Sequence, residues 1–214
     1  MTKGIEKVKE FNNNIDYWIN RYSEMNGKNV VGRRDWSQDQ FNEENAKWAS
    51  KISPFLDLIK PTKILDFGCG IGRWVPLLTA YTKDYYGCDI IEQAIKTLIE
   101  TYEIESKNVS LVENNSIPFG RNKFDLIWTC VVLQHVIDDD LLKHYLKHFS
   151  NRLKKGGHVI CTENVLNAKS SSYMRFREID EYQELFTNSG FTFVDKTTFI
   201  SSKEPHAVML FKKE

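Results

Sequence analysis

The stretch KILDFGCGIGRW, residues 63–74, decides the fold of this chain. Its first five residues are typical of a buried β-strand, and Gly68, Gly70 and Gly72 follow as a turn. Residues 74–81 then have the pattern of a helix. A strand, a glycine turn and a helix in this order predict the first unit of an open α/β sheet. The turn of such a unit lies at the carboxyl edge of the sheet, where ligands bind.

Short β-rich runs and helical stretches alternate after this unit, which predicts a parallel sheet covered on both faces. The last helix of the series is expected to end at the basic and glycine residues 154–157. The further predicted strands are residues 85–89, 109–113, 124–129 and 158–162, and the predicted helices between them are residues 92–102 and 141–153.

The tail of the chain departs from this alternation. Residues 178–188 read as a helix, and the β-rich runs 191–194 and 207–212 follow, joined by about a dozen residues that include Pro205. Two strands joined without a helix are most simply antiparallel. The predicted fold class is therefore α/β, a doubly wound seven-stranded sheet with five parallel strands and a terminal antiparallel pair.

The first 60 residues have no strand pattern and are predicted to form an N-terminal helical cap, with the main domain at residues 61–214. Residues 6–22 and 38–59 read as helices, and Pro54 predicts a kink or break in the second. Residues 25–35, which contain two glycines, read as a loop.

Composition narrows the classes of function. The chain has 214 residues, fits one domain of ordinary size, and carries no net charge, which argues against binding nucleic acid through its phosphates. Its polar N-terminus is not a secretory signal, and no apolar run reaches the length of about 20 residues that spans a membrane. The four cysteines have no C-x-x-C spacing, so we expect a reduced, cytoplasmic protein.

No metal is expected. His144 and His148 have i, i+4 spacing, but a polar helix face explains them better than a metal site does. Residues 138–140 are three aspartates ahead of a predicted helix, where acids stabilise the N-terminus.

Two ligand classes suit the glycine turn. Dinucleotide sites use G-x-G-x-x-G, whereas here the third glycine comes one residue early, at Gly72. Asp66 stands immediately before the turn, where its charge would repel a pyrophosphate and attract an ammonium group. S-adenosylmethionine carries an ammonium group and a carboxylate, so an acid beside bare backbone suits it better.

The segment LDFGCGIGRW, residues 65–74, resembles motif I of the class I S-adenosylmethionine-dependent methyltransferases, and four further segments resemble that family in order. YGCDI (86–90) resembles the second strand, whose terminal acid binds the ribose hydroxyls. VENNSIPF (112–119) resembles the loop beside the adenine, with Glu113 or Asn114 at the adenine position. FDLIWTCVVLQHV (124–136) resembles the fourth strand and its turn, and LKKGG (153–157) the turn before the fifth strand.

The resemblance implies a Rossmann-like fold, S-adenosylmethionine as cofactor and S-adenosylhomocysteine as product. It assigns cofactor contacts to the glycine turn, to the ends of the second and fourth strands and to the adenine loop. The implied cofactor-binding residues are Asp66, Gly68, Cys69, Gly70, Asp89, Ile90, Glu113, Asn114, Thr129, Cys130 and Gln134.

His135 follows the fourth strand, near where a methyl acceptor should lie. A hydroxyl acceptor needs a base, and histidine titrates near neutrality, so His135 is the candidate catalytic residue. The alternative is that His135 only shapes the turn.

Aromatic and arginine side chains on either side of the expected cofactor edge suggest a pocket for a small, flat or sugar-like acceptor with an acidic group. Alternatively the aromatics only pack the cap onto the sheet. The candidate substrate-binding residues are Tyr17, Tyr22, Arg33, Tyr173, Arg175 and Arg177.

The sequence thus favours an enzyme that methylates an oxygen or nitrogen atom of a sugar or secondary metabolite. The alternatives are an RNA or protein methyltransferase and a cofactor-binding partner subunit without activity. A nicotinamide oxidoreductase is a more distant alternative.

Overall fold

The computed structural model describes residues 14–25, 27–166, 168 and 170–214. Within these residues seven strands form one sheet in the order β3-β2-β1-β4-β5-β7-β6. The first five strands are parallel to one another, and β7 is antiparallel to both β5 and β6. This topology confirms the predicted fold class. The strands are β1 (Lys63–Phe67), β2 (Asp84–Asp89), β3 (Val109–Leu111), β4 (Phe124–Cys130), β5 (Leu153–Asn164), β6 (Phe191–Ser201) and β7 (Glu204–Lys213).

Helices cover both faces of the sheet. Two of the predicted helices have the bounds that their apolar periodicity indicated, those at residues 38–59 and 92–102. No helix in the described part of the chain has the length and apolar character that a bilayer crossing requires. The helices are α1 (Asn14–Glu24), α2 (Lys28–Val31), α3 (Gln38–Ile59), α4 (Val75–Thr79), α5 (Glu92–Tyr102), α6 (Asp139–Arg152) and α7 (Ile179–Thr187).

The N-terminal region differs from expectation in three places. Residues 6–13 of the first predicted helix lie outside the described residues, and the helix continues to Glu24. The predicted loop 25–35 contains the short helix α2. A break at Pro54 is wrong, because α3 runs through it. The apolar face of α3 is buried, and this packing outweighs the backbone hydrogen bond that proline removes.

α3 packs on the sheet itself. Its residues Trp48, Ile52 and Leu56 belong to the same buried cluster as Ile64 of β1 and Trp128 of β4. The opposite face of the sheet is covered by α6 and α7. The division of the chain at residue 60 stays a prediction.

Residues 154–157 do not cap the preceding helix, as the sequence suggested. α6 ends at Arg152, and Leu153 is already extended and pairs with Phe124. The next regular pair joins Leu126 and His158, so the extra residues form an irregularity in β5. Burial of Leu153 fixes the start of the strand, and Gly156 takes the positive φ of 73° that the bulge needs.

The last two strands form a tight hairpin, whereas the sequence suggested a connection of about a dozen residues. Both strands extend until only Ser202 and Lys203 remain between them. These two residues have φ of 50° and 69°. Two successive positive values are typical of a two-residue hairpin turn, which usually contains glycine or asparagine. Neither is present here, so no tight turn could be recognised at these positions from residue type.

Candidate active site

The glycine turn between β1 and α4 lies against the end of β2 and the segment after β4. The N–H groups of Gly68 and Cys69 donate to the carbonyl of Cys88, at 2.8 and 3.1 Å. Gly68 has a φ of 78°, and a Cβ there would lie 2.4 Å from a methyl carbon of Val132. Only glycine permits this conformation and this approach. The turn therefore leaves its backbone open toward the carboxyl edge of the sheet.

Asp89 ends β2 directly beside this turn. One carboxylate oxygen accepts from the N–H of Gly70 and the other from the N–H of Ile91, each at 2.9 Å. Burial raises the pKa of Asp89, and these backbone bonds oppose that rise. Each oxygen keeps a further lone pair for a hydroxyl donor. The carboxylate is thus fixed in position and able to accept hydrogen bonds from a ligand.

Asp66 lies behind the turn. Its carboxyl group is buried and accepts a hydrogen bond from the Tyr85 hydroxyl at 2.9 Å. Burial raises the pKa of Asp66 to about 7. It does not line the cavity in front of the turn, so its predicted effect on an ammonium group would act across the backbone.

A cavity of about 190 Å³ opens in front of the turn, and we call it the glycine-loop cavity. It is lined by the turn, by α1 and by the carboxyl ends of β2 and β4, the two strands that flank β1 in the sheet. The predicted cofactor residues that line it are Gly68, Cys69, Gly70, Asp89, Ile90 and Cys130. Lining residues beyond those predicted to bind the cofactor include Ile15, Trp18, Arg73, Trp74, Val112, Asn115, Leu141 and Tyr145.

Glu113 and Asn114, the two candidates for the adenine position, are both exposed, and neither lines this cavity. β3 ends at Leu111, and a tight turn follows, in which the N–H of Ser116 donates to the carbonyl of Glu113. Asn114 and Asn115 both have positive φ, near 50°. This turn brings Asn115 rather than its two predecessors to the cavity.

Thr129 and Gln134 also lie outside the glycine-loop cavity. Thr129 is fully buried inside β4 and lines neither of the two cavities. The side-chain oxygen of Gln134 accepts from the N–H of Asn164 at 3.3 Å, and its nitrogen donates to the sulfur of Met174. Gln134 lines a second cavity instead.

The second cavity has a volume of about 230 Å³, and we call it the tyrosine cavity. Tyr17 and Tyr173 stack on one side of it, with ring centroids 4.0 Å apart. Three of the predicted substrate residues line it, namely Tyr17, Arg33 and Tyr173. Tyr22 lines the glycine-loop cavity instead.

Arg175 and Arg177 line neither cavity, contrary to expectation. Arg175 forms an ion pair with Asp139 at 2.8 Å. The side chain of Arg177 is completely buried, and it donates to the carbonyls of Leu133 and Val136 and to Asp139. Its hydrogen-bonding groups are used inside the protein, which argues against the predicted contact with a substrate.

His135 lies where the two cavities meet, and it lines both. Its Nδ1 is 2.9 Å from the carbonyl of Tyr173. Since a carbonyl only accepts, Nδ1 carries the proton, and the basic lone pair of the neutral ring is on Nε2. Burial lowers the pKa of His135 to about 4, so the ring is neutral at pH 7.

Glu163 at the end of β5 holds the turn that carries His135. Its carboxylate accepts from three successive N–H groups, those of Val132, Leu133 and Gln134, at 2.9 to 3.3 Å. Burial raises the pKa of Glu163 to about 7. Arg177 donates to two carbonyls of the same turn. Glu163 and Arg177 therefore hold the N–H groups and the carbonyl groups of this turn, respectively. The sequence suggested both residues only as parts of an acceptor pocket.

Within the described ranges, no group of three or more potential metal ligands comes together. His144, one of the two histidines with i, i+4 spacing, lies within hydrogen-bond distance of the carbonyl of Asn115 at 3.2 Å. Asp138 is the N-cap of α6 and accepts from two N–H groups of its first turn, which confirms the predicted role of the aspartates.

A family model and curated relatives from the comparison with known proteins both indicate a methyltransferase. Residues 37–201 match the family model described as a methyltransferase domain. Demethylmenaquinone methyltransferases of Staphylococcus aureus are 30% identical over 126 residues, which cover 56% of this chain and 51% of theirs. The chain therefore spans about half the length of the curated relatives that it matches.

Solved structures match over most of the chain. The N-methyltransferase NodS from Bradyrhizobium japonicum, in complex with S-adenosylhomocysteine, has a TM-score of 0.71 at 18% identity, covering 92% of this chain and 97% of NodS. An S-adenosylmethionine-dependent methyltransferase from Clostridium acetobutylicum has a TM-score of 0.67 at 16% identity, covering 91% and 98%. At these identities the likeness concerns the fold.

Proposed function

This chain belongs to the methyltransferase domain family, and we propose that it transfers the methyl group of S-adenosylmethionine to an oxygen or nitrogen atom of a small molecule. The predicted family and, with it, S-adenosylmethionine as the cofactor are confirmed by the family match. The acceptor and the roles of individual residues are proposals. The observation that carries the proposal is that a second cavity adjoins the glycine-loop cavity at His135.

The glycine-loop cavity fits the cofactor. Asp89 would accept hydrogen bonds from the ribose hydroxyls, since its carboxylate is fixed by two N–H groups and faces this cavity. Val112, Leu141 and Tyr145 provide apolar surface for a flat base near that end. Cys130 ends β4, on the opposite side of the turn from Asp89. The amino-acid portion of the cofactor would bind on this side, beside the turn.

The tyrosine cavity would take the acceptor. Stacked Tyr17 and Tyr173 give it a flat aromatic wall, and Arg33 places a positive charge on it. An aromatic or sugar-like molecule with an acidic group matches this combination. The absence of a net positive charge on the chain favours such an acceptor over RNA.

S-adenosylmethionine supplies a sulfonium methyl group, whose carbon–sulfur bond breaks as the acceptor attacks. The chain mainly has to align the two molecules, because the methyl group is already activated. We propose that Nε2 of His135 takes the proton of a hydroxyl acceptor. Its pKa of about 4 keeps it unprotonated at neutral pH but makes it a weak base.

The test uses the purified chain with S-adenosylmethionine and a panel of phenols, aromatic acids, amines and sugars, and it measures release of S-adenosylhomocysteine. Tyr173→Ala keeps the carbonyl that holds His135, and it should raise the KM of the acceptor while leaving the affinity for S-adenosylhomocysteine unchanged. Tyr22→Ala is the matched variant in the other cavity and should weaken S-adenosylhomocysteine binding. If both variants change only cofactor binding, the tyrosine cavity is not the acceptor site.

His135→Ala tests the base separately. Near-normal turnover with unchanged cofactor affinity would mean that His135 only shapes the turn. Cofactor binding without turnover on any acceptor would support the alternative of an inactive partner subunit. Binding of RNA with a steep dependence on salt concentration would favour an RNA substrate.

A further inference from the structure

Arg73 is a partly buried cation whose guanidinium has one buried nitrogen without a described hydrogen-bond partner. It follows directly on Gly72, and its Nε donates to the side-chain oxygen of Asn45 at 2.8 Å. Its Nη1 donates to the carbonyl of Val31 at 3.3 Å. Its Nη2 is buried and has no hydrogen-bond partner in the part of the chain that the structure describes. A buried guanidinium nitrogen without an acceptor is costly, and a ligand can supply the acceptor.

Aromatic rings surround this guanidinium, but no carboxylate pairs with it. The guanidinium carbon lies 4.8 Å from the ring centroid of Trp74, 5.1 Å from that of Trp48 and 5.3 Å from that of Phe41. These rings attract the cation but do not replace an ion pair. Among the described residues no acidic group lies within 4.0 Å of Arg73. Burial lowers the pKa of Arg73, and the more distant carboxylate of Glu44 opposes this shift only in part.

The position of Arg73 limits where a counter-ion could bind. Arg73 lines both the glycine-loop cavity and the tyrosine cavity. Burial raises the pKa of the Cys130 thiol, the guanidinium of Arg73 lowers it, and Glu163 and Asp66 raise it further. Arg73 and Cys130 both line the glycine-loop cavity, whereas the two acids are buried behind its lining. A zwitterion of the amino-acid type matches this charge pattern.

We propose that Arg73 binds the α-carboxylate of the methionyl portion of S-adenosylmethionine. Asp89 ends β2 and Cys130 ends β4, and these two strands flank β1 in the sheet. Arg73 acts electrostatically on Cys130 and lines the same cavity, so a cofactor whose ribose met Asp89 would extend across the turn toward Arg73. Arg73 also hydrogen-bonds Val31, whose side chain would be 3.1 Å from a Cβ on Gly70. Its guanidinium is thus next to the glycine turn itself. The proposal rests on the cofactor and not on the identity of the acceptor.

The experiment compares three ligands by calorimetric titration. S-adenosylhomocysteine has both the ammonium group and the carboxylate. The aminopropyl analogue, 5′-deoxy-5′-(3-aminopropylthio)adenosine, lacks only the carboxylate, and 5′-methylthioadenosine lacks the whole amino-acid portion. The proteins are the wild type, Arg73→Met, Arg73→Lys, and Arg121→Met as a matched loss of an exposed arginine that lines neither cavity.

Arg73→Met should weaken S-adenosylhomocysteine binding by about 10- to 100-fold, the effect of a lost charge-assisted hydrogen bond. It should change the Kd of the two ligands without a carboxylate by less than about threefold. Arg73→Lys should restore part of the loss, and Arg121→Met should change nothing. A melting curve of each variant shows whether it is folded.

Two results would overturn the proposal. Equal weakening of all three ligands would mean that Arg73 only supports the fold of the cavity. Unchanged S-adenosylhomocysteine binding, with a loss of turnover confined to acidic acceptors, would mean that Arg73 binds the carboxylate of the acceptor. If the wild type does not bind S-adenosylhomocysteine at all, the cofactor assignment fails rather than the role of Arg73.

Discussion

Replacing Arg177 by methionine tests whether this residue supports the fold or binds a substrate. The change leaves the buried carbonyl of Val136 without the Arg177 donor, at a cost of about 1–2 kcal/mol. The carbonyl of Leu133 loses the same donor but keeps the N–H of Val136, so its cost is about 1 kcal/mol. Asp139 is partly exposed and keeps its ion pair with Arg175, so losing the Arg177–Asp139 pair adds less than about 1 kcal/mol. Methionine keeps much of the apolar stem, and we expect the free energy of unfolding to fall by about 3 kcal/mol.

Thermal unfolding followed by circular dichroism measures this loss. For a chain of this size, 1 kcal/mol corresponds to about 2–4 °C, so Tm should fall by about 10 °C. Arg175→Met is the matched control, because it removes a half-exposed ion pair with the same Asp139 and should lower Tm by at most about 2 °C.

The opposite pattern would refute this reasoning. If Arg177→Met melts like the wild type while the KM of the acceptor rises tenfold, then Arg177 contacts the substrate after all. In that case the hydrogen bonds to the turn that carries His135 would contribute little to stability.

The remaining predictions concern the glycine-loop cavity and the buried acids. Gly68→Ala should abolish detectable S-adenosylhomocysteine binding, since its Cβ would meet Val132 at 2.4 Å; Gly70→Ala, at 3.1 Å from its nearest neighbour, should reduce binding less, and equal effects would contradict the geometry. Asp89→Asn should weaken S-adenosylhomocysteine and 5′-methylthioadenosine alike, because both contain the ribose; selective loss of one would exclude ribose contact. Asp66 has a folded pKa of about 7, above the value of about 4 in the unfolded chain, so the folded state binds more protons between these pH values and its stability contribution falls as pH rises through them. The Tm of the wild type should therefore fall relative to that of Asp66→Asn between about pH 4 and pH 7, and a constant difference would contradict the raised pKa.

Strong periodicity made much of the fold predictable. The strand Lys63–Phe67 and the helices Gln38–Ile59 and Glu92–Tyr102 have the predicted bounds, since apolar spacing and flanking turn residues agree in each. The five parallel strands and the terminal antiparallel pair followed from the alternation of strands and helices and from the short tail. The hairpin at Ser202 and Lys203 was not predictable in this way, because its turn depends on backbone conformation at residues that rarely adopt it.

The site was harder to predict than the fold. Motif positions at strand ends led to Gly68, Asp89 and Cys130, which do line the glycine-loop cavity. Sequence could not separate a buried arginine from an exposed one, so Arg177 was expected in the pocket. Arg73 was missed because its significance comes from residues far away in the chain that leave one of its nitrogens without a partner.

α1 contacts both cavities, and this shared contact bears on how the binding of the methyl donor and of the acceptor are coupled. Tyr22 on this helix lines the glycine-loop cavity, Tyr17 lines the tyrosine cavity, and Trp18 lines both. A ligand that orders the helix from one side lowers the cost of ordering it for a ligand on the other side. Thermodynamic linkage then requires that each ligand increase the affinity for the other by the same factor. We therefore expect positive cooperativity between the methyl donor and the acceptor, with this single helix as the coupling element.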